Sequence, residues 1–114
     1  MNNIPYLERA QVYQKAIDTF GVEAQLLMCI EEMSELTKAI CKFRRAKPNQ
    51  IPERLHDIAE ECADVTIMME QLRIMFDSNE EVCRVMDMKV ARLKERLNWL
   101  RQEVPDAEED KPAP

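Results

Sequence analysis

Apolar residues recur at intervals of three and four along most of this chain, with charged residues between them. That is the period of an amphipathic α-helix, not the alternation of a half-buried strand. In the first such stretch Ala10, Tyr13, Ile17 and Phe20 form a stripe that predicts a helix from about Pro5 to Thr19. Asn3 and Pro5 can start it, and Gly21, the only glycine, fits a left-handed stop. A second helix is predicted over Val22 to Arg44, its seam being Leu26, Cys29, Met33, Leu36, Ile40 and Phe43. Residues 46–52 contain two prolines and read as a loop short enough to join antiparallel helices. The third helix begins near Pro52 or Glu53 and runs to about Phe76, with Ile58, Cys62, Val65, Met69, Leu72 and Phe76 as its seam. Ser78, with Glu81 three residues on, forms a capping box that opens a fourth helix. Its apolar face carries Val82, Met86, Val90, Leu93, Leu97 and Leu100.

Composition supports this reading. Hydrophobic residues make up 46% of the 114, enough for one core, and 33% are charged. The scarcity of glycine and aromatics, against abundant Leu, Ala, Met, Glu, Lys and Arg, favours helix over β-structure. The expectation is one all-α helical domain, residues 1–102, followed by a disordered, acidic, Pro-rich tail, residues 103–114. The net charge of −6 argues against a nucleic-acid partner, which needs a basic footprint. No apolar run is long enough to span a bilayer and no secretory signal opens the chain, so the expectation is a cytoplasmic protein with no membrane partner. Cys29, Cys41, Cys62 and Cys83 form no Cys-x-x-Cys pair and sit in helical patterns, which predicts buried free thiols.

The charge pattern sharpens at two places. Glu31-Glu32-Met33-Ser34-Glu35 lies on the second helix and Glu60-Glu61-Cys62-Ala63-Asp64 on the third. Residues three apart share a helix side, so Glu32 projects with Glu35, and Glu61 with Asp64, each pair flanking its seam. One Glu-x-x-Glu is ordinarily a solvated face paired with Lys or Arg a turn away. Two, on helices joined by a short loop, bring four carboxylates together, an arrangement that repels itself unless cations occupy it. Oxygen-only ligands suit a hard divalent ion, Mg²⁺ with Mn²⁺ as the alternative, completed by waters and phosphate oxygens. Glu31 and Glu60 are near enough to orient water or a second ion.

Glu-Glu-x-x-Glu followed after a loop by Glu-x-x-Asp resembles the MazG-like all-α nucleoside triphosphate pyrophosphohydrolases, over roughly residues 5–101. The resemblance implies a four-helix antiparallel bundle completed by oligomerisation, as a homodimer or homotetramer. It implies Mg²⁺ ligation by Glu32, Glu35, Glu61 and Asp64, and hydrolysis of a nucleoside triphosphate to the monophosphate and pyrophosphate. Glu35, or Glu31 through a water, is the candidate base, and the sequence does not choose between them. Arg92-Leu93-Lys94-Glu95-Arg96 is similar to the basic stretch with which that family contacts triphosphate, which carries over Arg92 and Arg96, with Lys89 one turn earlier. The bland reading of these three is a solvated basic face toward a helix C-terminus.

Two rivals stand beside this reading. A di-iron carboxylate bundle needs Glu-x-x-His on two helices, and the single histidine, His56, makes no such motif. A non-catalytic helical interaction module needs only the heptad-like stripes. His56 reads as a surface residue near a helix start, Trp99 as a packing residue against a neighbouring helix or subunit, and the eight methionines as adaptable core.

Overall fold

A computed structural model describes residues 4–103, and among them every regular element is helical. The elements are α1 (Tyr6–Phe20), α2 (Val22–Arg44), a 3-10 turn (Pro48–Gln50), α3 (Ile51–Met75) and α4 (Asn79–Glu103). The chain divides into two compact units, Met1–Ser78 and the segment from Asn79 onward, where the sequence pattern predicts one domain. The predicted tail shrinks by one residue, because Glu103 is still helical; residues 104–114 lie outside the described part, as does Asn3.

In the first unit α2 and α3 form an antiparallel hairpin, and α1 packs against both. Gly21 makes the α1–α2 corner. Its φ of 90° and ψ of 152° belong to a region open essentially to glycine alone. Its N–H donates to Ile17 O at 2.8 Å and its carbonyl accepts from Gln25 N at 3.1 Å, so one residue closes one helix and opens the next. Between α2 and α3 the expected plain loop contains a 3-10 turn. Pro48 fixes its entry, the Lys47 N–H donates to Gln50 Oε1 at 3.0 Å, and Gln50 N–H returns to Lys47 O at 2.8 Å. After α3 the chain turns through Asp77 (φ 48°), a residue type that tolerates the left-handed region. α4 starts at Asn79, where the Ser78–Glu81 box puts it.

The core of this unit is Tyr13, Ile17, Cys29, Ala39, Val65 and Met68, joined by two buried polar residues, Gln25 and Gln71. Tyr13, Ile17, Cys29 and Val65 belong to the predicted stripes, while Ala39, Met68 and the two glutamines do not. On α2 the inward line runs through Gln25, Cys29, Glu32, Leu36, Ala39 and Phe43, while Met33 and Ile40 are exposed. On α3 Glu61, Val65 and Met68 face inward while Cys62, Met69 and Phe76 are exposed. Each helix keeps part of its predicted line and is turned by about half a residue, roughly 50°, from the expected orientation. Phe20 of the α1 stripe is exposed as well. The thiol expectation is corrected with it: Cys29 is buried, but Cys41, Cys62 and Cys83 are exposed. Among the described side chains of α4 none is buried, and Met86, Val90, Leu93, Leu97 and Trp99 are all exposed.

Candidate metal centre

A buried hydrogen bond between α2 and α3 holds this orientation. Gln25 Nε2 donates to Gln71 Oε1 at 2.7 Å, a buried bond between residues 46 apart in sequence. Two buried amides held together fix both the angle and the register of the hairpin, because any slip strands them. Glu32 lies seven residues after Gln25, and Asp64 seven before Gln71. Seven residues is close to two helical turns, so the same side of each helix returns at Glu32 and Asp64. Three residues further, Glu35 comes opposite Glu61.

One carboxylate oxygen each from Glu32, Glu61 and Asp64 lies within 4.8 Å of the others. Octahedral Mg²⁺ with bonds of about 2.1 Å sets oxygens about 3 Å apart in adjacent positions and about 4.2 Å apart across the ion. The trio is spread slightly wider than the span across such an ion and has to draw together to hold one. Glu32 and Glu61 are half-buried and Asp64 is exposed, so the cluster has an inner wall and an open side. Glu61 Oε2 is buried with no hydrogen-bond partner. Burial first, then the charges of Asp64, Glu61, Glu31 and Glu35, hold Glu32 above the ordinary glutamate value of 4.5. Burial first, then Asp64, Glu35, Glu60 and Asp57, do the same to Glu61. Every neighbour acting on the two is acidic. The donor set, oxygen only and with acidic surroundings, has the chemistry that suits a hard divalent cation.

The remaining acidic residues take different places. Glu35 lies outside the trio and accepts from Lys38 Nζ at 3.4 Å, on the wall of a neighbouring cleft of about 100 Å³ that it shares with Lys42, Asp57 and Glu61. Glu31 is exposed. Glu60 is exposed and meets His56 Nε2 at 3.1 Å, which gives the histidine a carboxylate partner beside the site. Lys89, Arg92 and Arg96 are exposed along one side of α4, in the second unit.

The sequence pattern missed a cavity of about 380 Å³ between α1 and α3. Cys62 and Ala63 line it, and in the chain these two separate Glu61 from Asp64. Tyr13 and Glu70 stand on its wall. Burial first, then its hydrogen bond to Glu70 and the charge of that carboxylate, push the Tyr13 phenol up to about 12. Glu70 Oε2 is a second buried oxygen without a partner. The signal available in the sequence was Glu70 itself, a lone acid among Ile67, Met68, Met69 and Leu72. Comparison with family models, with characterised proteins and with solved structures found no match.

Proposed function

We propose that the first unit carries a divalent metal site and that the protein is a nucleoside triphosphate pyrophosphohydrolase, cleaving the α–β phosphoanhydride bond. The observation that carries this reading is Glu61 Oε2, a buried oxygen without a partner on one of three converging carboxylates. Glu32, Glu61 and Asp64 would hold Mg²⁺ or Mn²⁺, with Glu35 one turn from Glu32 as a further ligand. When bound, such an ion neutralises phosphate charge and makes water a better nucleophile.

The chain's own residues supply the rest. Glu35 or Glu31 takes the proton of the attacking water, whose oxygen bonds to the α-phosphorus as the bond to the bridging oxygen breaks and pyrophosphate leaves. The family resemblance assigns phosphate contact to Lys89, Arg92 and Arg96, which lie in the second unit. The cavity beside Cys62 and Ala63 has room for a nucleoside, with the Tyr13–Glu70 pair as its polar feature. The proposed setting is the cytoplasm, in keeping with the exposed free thiols, and the proposed assembly is a homodimer or homotetramer.

The test is pyrophosphate release from a panel of nucleoside triphosphates with and without Mg²⁺. Activity is expected only with the metal, and a loss of at least about 10²-fold is expected in Glu32→Gln and in Asp64→Asn. Unchanged release in both variants sinks the reading. The second reading, a non-catalytic helical interaction module, is favoured by the exposed apolar residues of α4. It predicts no release from any nucleotide.

A further inference from the structure

From Cys83 on, apolar positions of α4 alternate at three and four: Cys83, Met86, Val90, Leu93, Leu97 and Leu100. That is the spacing of a two-stranded coiled-coil seam, running from Cys83 to Leu100 on a helix of 25 residues. From Met86 to Leu100 every one of these seam residues is about half exposed or more, a large apolar line to leave in water. The identity of what covers it can be read from the charges beside it. Immediately after each inner position of one kind come Glu80, Asp87, Lys94 and Arg101, acidic in the first half and basic in the second. On the other edge stand Val82, Lys89, Arg96 and Glu103.

In a parallel pair the two different edges face each other, each residue meeting the one five places on in its mate. Lys89 would then meet Lys94, and Arg96 would meet Arg101, so every charged contact is repulsive. In an antiparallel pair each edge meets its own copy. Stacking Cys83 on Leu100, Met86 on Leu97 and Val90 on Leu93 brings Glu80 opposite Arg101 and Asp87 opposite Lys94, each twice by symmetry. The other edge sets Lys89 against Arg96, also twice, so attraction outnumbers repulsion two to one. A slip of one heptad either way puts Asp87 against its own copy or Lys94 against its own copy.

We propose that α4 pairs antiparallel with α4 of a second copy of this chain, in the register that matches Glu80 with Arg101 and Asp87 with Lys94. The helix is self-complementary in that arrangement: one of the two slips balances attraction with repulsion, and the other keeps the two-to-one ratio but stacks only four seam residues of each helix where this register stacks six, which favours a second copy over an unrelated partner. This interface does not depend on the metal-site reading.

Light scattering on the full chain tests it with two variants, E80K/D87K and K94E/R101E. The first makes that edge wholly basic and the second wholly acidic, so each should repel itself and attract the other. The wild-type mass is expected to be at least twice the 13.4 kDa of one chain. Each variant alone is expected to show half the wild-type mass, and an equimolar mixture to restore it. A wild-type mass of one chain, variants that keep the wild-type mass, or a mixture that fails to reassociate would each overturn the proposal. Crosslinking guards against misfolding of the charge variants. In a Cys41→Ser/Cys62→Ser background, oxidised glutathione should link two chains through Cys83 only when Leu100→Cys is added. Dimers linked without it mean parallel helices, and absence of linkage with it means no such pair; both outcomes refute the register.

Discussion

The register of the hairpin can be put to a quantitative test at Gln25 and Gln71. Both side chains are buried, at 7% and 5% exposure, and their mutual bond is 2.7 Å. Gln25→Leu removes the donor and leaves Gln71 Oε1 in the core, where an unsatisfied acceptor costs about 1–3 kcal/mol. Part of that is offset by the apolar surface the leucine buries, so a loss of about 1.5 kcal/mol is expected. Gln71→Leu strands Gln25 in the same way. In the double variant no polar group is left stranded, and its stability should return to within about 0.5 kcal/mol of wild type. The cycle then gives a coupling of about 2.5 kcal/mol, near the top of the range for residues in direct contact. In a unit of this size 1 kcal/mol moves Tm by roughly 4–8 °C, so each single variant should melt about 6–12 °C lower and the double close to wild type. Thermal denaturation followed by circular dichroism reads all four proteins. If the double variant falls by the sum of the singles, the two amides act independently and the account of what sets the register is wrong. The cycle also reaches the site. With an all-apolar pair the hairpin can slide at little cost, so the double variant should regain Tm yet show a smaller Tm rise with Mg²⁺ than wild type.

Three other outcomes follow from single residues. Glu32 and Glu61 are held above 4.5, so between the ordinary and the raised values the folded chain binds more protons than the unfolded one. Stability without metal should therefore fall as pH rises through that window, and saturating Mg²⁺ should abolish the fall; melting in EDTA across pH 4–7 reads it, and a metal-free Tm rising over that span contradicts the cluster. Gly21→Ala should cost about 1–3 kcal/mol through backbone strain alone, because an added Cβ meets no atom within 4 Å, and Gly21→Asn should not rescue it at a ψ of 152°. Tyr13 should ionise near 12 by ultraviolet titration and return toward 10 in Glu70→Gln; a wild-type Tyr13 titrating near 10 would mean that the hydroxyl is not held against Glu70.

Local signals marked the helices well. Gly21, Pro48, Pro52 and the Ser78–Glu81 box each sit within a residue or two of an observed boundary, because capping and proline chemistry act over one turn. The convergence of Glu32, Glu61 and Asp64 was legible too, since spacing along two helices and a short connection suffice for it. Burial was not. Leu26, Met33 and Ile40 are the most apolar line on α2, yet the line that meets α3 contains Gln25, Cys29 and Ala39. Small residues let two helices approach, and a hydrogen bond between positions 46 apart chose the angle. No periodicity within one helix records a partner on another. Cys62 and Met69 moved outward, and Glu61 and Met68 inward, by that same choice.

One rotation therefore accounts both for the acids turned inward and for the large apolar residues turned outward, and this makes the acids testable as seam residues. A carboxylate in a seam destabilises the fold unless something offsets its charge, whereas one on a solvated face can be replaced with little effect. Glu32→Leu and Glu61→Leu should each raise the Tm of the metal-free chain, because leucine suits the half-buried position and removes one member of a repelling trio. Glu31→Leu, one residue away and exposed, should leave Tm within the change that about 0.5 kcal/mol produces. With Mg²⁺ the order should invert: wild type gains Tm while the Glu32 and Glu61 variants do not, because the stabilisation by the ion needs the very oxygens that cost stability without it. Equal metal-free Tm values for all three leucine variants would return Glu32 and Glu61 to the solvated surface. A gain without metal that persists unchanged in Mg²⁺, with wild type also unmoved by the ion, would leave the seam in place and remove the cation from it.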